Sequence, residues 1–248
     1  MKKITFAELI FEAYIVYSDM VKKNNKEENP QGIKNVEQTL TRTEHYLEEN
    51  YKLLLTILGT VILLVGIFWL GKLWLNKKND EAQSQMYQAQ KWLEMDSLKL
   101  ALDGDGNYLG FLDIIKNYKM TKAGNLARYS AGICYLHLGE YDNAIDYLNK
   151  YSKKDKLIGS IATGATGDAF VETGDLDKGA AKYIEAAEMA QNAFSTPLFL
   201  MKAGQIYELQ NKYADAIKLY TRIQTEYPES TEGTSIDKYI ARVKLLIK

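Results

Sequence analysis

The sequence predicts an all-α chain: one membrane-spanning helix followed by an α-solenoid of helical hairpins. Three observations predict it. Residues 53–71 (LLLTILGTVILLVGIFWLG) carry no charge. Only 3 of the 248 residues are proline, so long helices can run without interior breaks. The C-terminal part repeats itself with a period near 35 residues.

The uncharged run comes first. At 1.5 Å per residue its 19 residues span roughly 28 Å, close to a hydrocarbon core of about 30 Å. Tyr51 precedes it, and Phe68, Trp69 and Trp74 lie at its far end, where an aromatic belt belongs. It starts after residue 52, exceeds a signal peptide's apolar core and lacks a small-residue cleavage site, so it reads as a permanent anchor. Near the span, Arg42 and Lys52 stand on one side, and Lys72, Lys77, Lys78 and Lys91 on the other. Read locally, the positive-inside rule puts the C-terminal side in the cytoplasm. Six further lysines in the N-terminal segment weaken that bias, so charge alone leaves both orientations open.

Residues 5–23 form an apolar, helix-compatible stretch interrupted by Glu8, Glu12 and Asp19, which suits an interfacial or partner-binding helix, or a loose tail. Residues 24–35 (NNKEENPQGIKN) read as a polar linker. One helix is then expected from about residue 36 to about residue 100. The chain divides into a tail (1–35), a juxtamembrane helix (36–52), the span (53–75), a stalk with a degenerate hairpin (76–122), repeats (123–230) and a capping helix (231–248).

The repeats are AGICYLHLGEYDNAIDYL (131–148), TGDAFVETGDLDKGAAKY (166–183) and AGQIYELQNKYADAIKLY (203–220). Gly132, Gly167 and Gly204 lead them, followed three positions on by Tyr135, Phe170 and Tyr207. Gly139, Gly174 and Asn211 hold the turn. Tyr141, Leu176 and Tyr213 come two residues later, then small residues Ala144, Gly179 and Ala216, and large residues Leu148, Tyr183 and Tyr220. Pro228 closes the third unit. This pattern resembles the tetratricopeptide repeat. Small residues let two helices approach, and glycine accepts the left-handed turn. The aromatic residues fill the space between hairpins, which accounts for much of the excess of 18 Tyr over 7 Phe. The amphipathic stretch TSIDKYIARVKLLIK would cover the last hydrophobic face.

Little else suggests chemistry. DGDGN (103–107) resembles the start of a calcium loop, but Tyr108 and Ile114 stand where glycine and a bidentate glutamate are needed, so a turn is expected. Cys134 and His137 share a helical face, and repeat packing explains both. His45, between Glu44 and Glu48, reads as part of a solvated face. One cysteine and two histidines exclude a disulfide framework and multi-cysteine metal sites. No enzyme activity, cofactor, metal or small-molecule substrate is expected. The balance of 31 basic and 32 acidic residues argues against nucleic-acid binding.

The tetratricopeptide resemblance implies a peptide groove on the first helix of each hairpin: Tyr129, Ser130 and Ile133, then Gly164, Ala165 and Asp168, then Met201, Lys202 and Gln205. Only Lys202 is basic, which disfavours the carboxylate-clamp class. The alternative is a groove filled by the chain's own helices. The whole layout is similar to membrane-anchored tetratricopeptide proteins that are ancillary subunits of the bacterial Sec translocon, in a Bacteroidetes-like form. That resemblance implies a non-enzymatic scaffold or chaperone in the inner membrane, with a cytoplasmic N-terminus and periplasmic repeats. Translocon components or exported chains would be its partners. The competing reading is an inner-membrane adaptor with cytoplasmic repeats assembling another complex.

Overall fold

The computed structural model describes residues 30–247, with side chains from residue 50 onward. The apolar stretch at residues 5–23 lies outside the described residues, as does the His45 side chain. The elements are α1 (Pro30–Glu94), α2 (Leu98–Asp103), α3 (Phe111–Tyr118), α4 (Lys122–His137), α5 (Tyr141–Lys150), α6 (Lys156–Glu172), α7 (Leu176–Ala190), α8 (Ser195–Leu209), α9 (Tyr213–Glu226), a short 3-10 turn (Gly233–Ser235) and α10 (Ile236–Leu246). No strand is present among the described residues. A single β-bridge joins Gly104 to Leu109.

Two compact units divide the chain, Met1–Trp69 and Leu70–Lys248. In the first, the described portion is α1 itself. The polar stretch at 24–35 is helical from Pro30 onward rather than linker. Proline is well placed in a first turn, where its missing N–H costs nothing. The uncharged run lies within α1, which is long and apolar enough to cross a membrane, and none of its most apolar stretch is buried. Its hydroxyls are satisfied internally: Thr56 donates to the Lys52 carbonyl at 2.6 Å and Thr60 to the Thr56 carbonyl at 2.7 Å.

In the second unit, α1 buries a stripe of Ala82, Met86, Ala89 and Trp92. It ends at Glu94, short of residue 100. Asp96 turns left-handed at φ 57°, its N–H meets the Leu93 carbonyl, and the Ser97 N–H meets that of Trp92. The same pair of backbone bonds closes α4 at Gly139, α6 at Gly174 and α8 at Asn211. All three residues have positive φ. This shared Schellman closure aligns Ala89 with Gly132, Gly167 and Gly204. It also aligns Trp92 with Tyr135, Phe170 and Tyr207. The end of α1 is therefore the first helix of a further hairpin.

The second helix of that hairpin is interrupted. Leu98 and buried Ala101 in α2 hold the register of Tyr141 and Ala144. The Gly104–Gly110 insert then intervenes, and α3 resumes the helix. Asp105 closes the insert by accepting the N–H groups of Asn107 and Tyr108 at 2.9 and 2.8 Å. DGDGN is a turn whose carboxylate is spent on backbone.

Three hydrophobic clusters follow one another. The first joins α1 through α4 around Phe111, Ile114 and Cys134. The second lies between α4, α5 and α6 around Leu148 and Tyr151. The third runs from α7 to α10 around Leu200, Tyr220 and Ile223, and α10 closes it with Ile236, Ile240 and Val243. At the centre, α6 buries Gly159, Ser160, Ala162, Thr163, Gly164, Ala165, Thr166, Gly167 and Ala169. Its small side chains let neighbouring helices come close.

Candidate interaction groove

The first helices of the hairpins, α4, α6 and α8, are neighbours in the array. Their backbones approach their partner helices at glycine. A methyl group on Gly132 would lie 2.6 Å from Leu148 Cγ, one on Gly167 2.9 Å from the Tyr183 ring, and one on Gly204 2.4 Å from the Tyr220 ring. Tyr135 stacks on Tyr147 with ring centroids 5.3 Å apart. Tyr207, half-buried, packs on the third cluster, and Ala144 and Ala216 are fully buried. Pro228, by contrast, is exposed just beyond α9 and stops a helix rather than filling a gap.

The nine groove positions divide in two. Ser130, Gly164, Ala165 and Met201 are buried and offer no surface. At Gly164 the cause is Phe199: a methyl there would meet its ring at 2.1 Å. This ring closes the floor between α6 and α8, so part of the groove is filled by the chain itself. Tyr129, Ile133, Asp168 and Lys202 are half-buried, and Gln205 is exposed. The Tyr129 ring leans on Tyr151 at 5.8 Å, and burial raises its phenol above the ordinary range. Asp168 accepts both the Tyr183 hydroxyl, at 2.5 Å, and Lys202 Nζ, at 2.6 Å. Lys202 also stands 5.2 Å over the Tyr183 ring. The one basic residue of the groove is thus tied into the floor.

The open part lies one helical turn further along the same helices. A cavity of about 280 Å³ is lined by Leu136, His137, Tyr141, Asp168, Val171, Glu172 and Tyr183. Apart from Tyr141 and Tyr183, the residues beyond Asp168 are the i+3 and i+4 neighbours of Ile133 and Asp168, so extending the same helical face would have found them. Tyr141 donates to Glu172 across this cavity at 3.3 Å. Further along, Gln205, Glu208, Leu209 and Arg242 border an open depression of about 400 Å³. The surface mixes carboxylates with Leu136, Val171 and the 70% exposed Leu209. It suits a partner carrying both basic and apolar groups.

Residues 112–156 and 165–231 match the tetratricopeptide repeat family model. These two stretches carry tetratricopeptide repeats. No curated protein matches the chain. The tetratricopeptide repeat is generally a protein-interaction fold without catalytic function, and protein partners follow from it. Cys134 fits that assignment. It is fully buried, and burial pushes its thiol up to about 12, far from a nucleophilic thiolate at neutral pH. His137 is exposed on the groove wall.

Proposed function

We propose that this chain is a single-pass membrane protein whose tetratricopeptide repeats hold other proteins near the bilayer. The observation that carries the reading is the contrast within α1. The uncharged run exposes Leu55, Ile62, Leu64 and Phe68 to more than half of their area, while Ala82, Met86, Ala89 and Trp92 are buried. An apolar surface of that length facing water is untenable, and a bilayer resolves it. The resemblance in layout supports a narrower role: an ancillary subunit of the Sec translocon in a bacterial inner membrane. Periplasmic repeats would then chaperone exported chains. Affinity purification in mild detergent tests this role. Co-purification of translocon components is the expected result, and their absence would remove the narrower role.

The four lysines that follow the uncharged run favour a second reading, an adaptor with cytoplasmic repeats. A phosphatase that folds only in the periplasm, fused after Lys248, separates the two. Activity excludes the adaptor, and silence alongside a fluorescent cytoplasmic fusion excludes the chaperone.

A further inference from the structure

A further cavity lies away from the groove. It occupies about 490 Å³ between the α3–α4 and α5–α6 corners. Lys119, Lys122, Arg128 and Lys154 surround it, and Asp155 is the one carboxylate on its lining. Asp155 already accepts the Ile158 N–H as the cap of α6. Arg128 donates to neutral acceptors, the Lys119 carbonyl at 3.0 Å and Asn125 Oδ1 at 3.4 Å. Among the described residues, no carboxylate pairs with these four cations. The two corners are stitched together by Asn125, which accepts the Ser152 N–H at 2.8 Å and donates to its carbonyl. The cleft is therefore a fixed, cationic hollow with an apolar floor of Leu126 and Ile158.

Its position bears on what it holds. Lys119, Met120 and Thr121 also line a neighbouring cavity of about 200 Å³ with Trp74, Leu75 and Lys78 of α1. Trp74 lies three residues past Gly71, so about 5 Å beyond the end of the uncharged run. A bilayer's headgroup layer has about that depth on each side of its core. At the same corner Met120 is 73% exposed.

The geometry points to a binding site for anionic phospholipid headgroups at the cleft between the α3–α4 and α5–α6 corners, with Met120 dipping into the interface. The occupant belongs to the bilayer that α1 crosses, so the inference rests on the membrane reading above. Charge complementarity identifies it. Arg128 offers a planar fork to phosphate oxygens, and the three lysines act as point charges on the same group.

The test uses the full chain in lipid nanodiscs, with Met120→Cys carrying an environment-sensitive fluorophore. Cys134 stays unlabelled because it is buried. Phosphatidylcholine discs are compared with discs containing phosphatidylglycerol. We expect a blue shift confined to the anionic discs. Salt should reverse it, since the screening length falls from about 10 Å at 0.1 M to about 3 Å at 1 M. The triple variant Lys119→Glu, Lys122→Glu, Lys154→Glu should abolish it. A probe at Leu209, on the opposite edge of the array, should not respond. Equal emission in both lipids, a shift that survives salt, or an equal response at Leu209 overturns the site. Resistance to alkaline carbonate extraction is scored separately. A chain that is extracted refutes the anchor, whereas an integral chain with a silent Met120 probe refutes only the cleft.

Discussion

The ring of Tyr220 packs against Gly204, so close that a single added methyl would stand 2.4 Å from its Cε1 atom. Tyr220 is fully buried, and its hydroxyl is fixed to Glu208 at 2.5 Å. It has nowhere to retreat. Gly204→Ala should therefore cost about 1–3 kcal/mol through overpacking. Of this, about 1 kcal/mol returns through alanine's better helix propensity. Urea unfolding followed by circular dichroism should show a lower midpoint at an unchanged slope. An unchanged midpoint would mean that the ring can move.

Glu208 joins two elements. It accepts the Tyr220 hydroxyl and receives both Arg242 Nε, at 3.1 Å, and Arg242 Nη2, at 2.7 Å, from α10. Glu208→Ala strands a buried hydroxyl and should cost about 1–3 kcal/mol. Tyr220→Phe should cost less, because it removes the donor together with its need. In a double-mutant cycle the two should be clearly non-additive. Additivity would dissolve the link. Arg242→Ala removes a two-pronged pair whose Glu208 side chain is only 13% exposed, and should cost about 1–3 kcal/mol.

Alkaline pH should weaken the fold. Burial first, and then hydrogen bonds to Asp168 and Glu208, raise the Tyr183 and Tyr220 phenols well above their ordinary value of 10.0. Burial also pushes the Tyr135 phenol up to about 12. These groups favour the folded state fully below pH 10, where both states hold the proton. Above it the unfolded chain ionises first, and stability falls as pH rises towards the folded values. Unfolding midpoints at pH 8 and pH 11 should differ, with the lower one at pH 11. Tyr220→Phe should flatten that dependence, and an unaltered slope would argue against it.

The turn residues separate strain from crowding. Gly174 sits at φ 83° with nothing within 4 Å of where a methyl would go. Gly174→Ala then carries only the left-handed penalty of about 1–2 kcal/mol. Gly174→Asn should cost less, because Asn211 already fills the same place in the next repeat at φ 59°. Equal thermal melts for the two variants would contradict this.

Much of the fold could be read from the residues, because the spacing of Gly132, Gly167 and Gly204 reports where each first helix presses closely on a side chain of its partner helix. The opening hairpin was harder to place. Its turn residue is Asp96, and the Gly104–Gly110 insert lengthens the step to the next turn from 35 or 37 residues to 43. The groove was half legible. Register names the helices that line it, but register is blind to Phe199, whose ring comes from the neighbouring hairpin and closes the floor at Gly164. Nor could it foresee that Lys202 would be held by Asp168.

Helix α6 has consequences for how the array fails. Three glycines and two threonines among its buried residues give it almost no inclination to be helical by itself. Its conformation is borrowed from α5 and α7 on either side. Under tension applied at the two ends, the chain should yield there first, parting into an N-terminal and a C-terminal block. A partner bridging α4 and α8 would act as a splint across the fracture line and raise the force needed to break it.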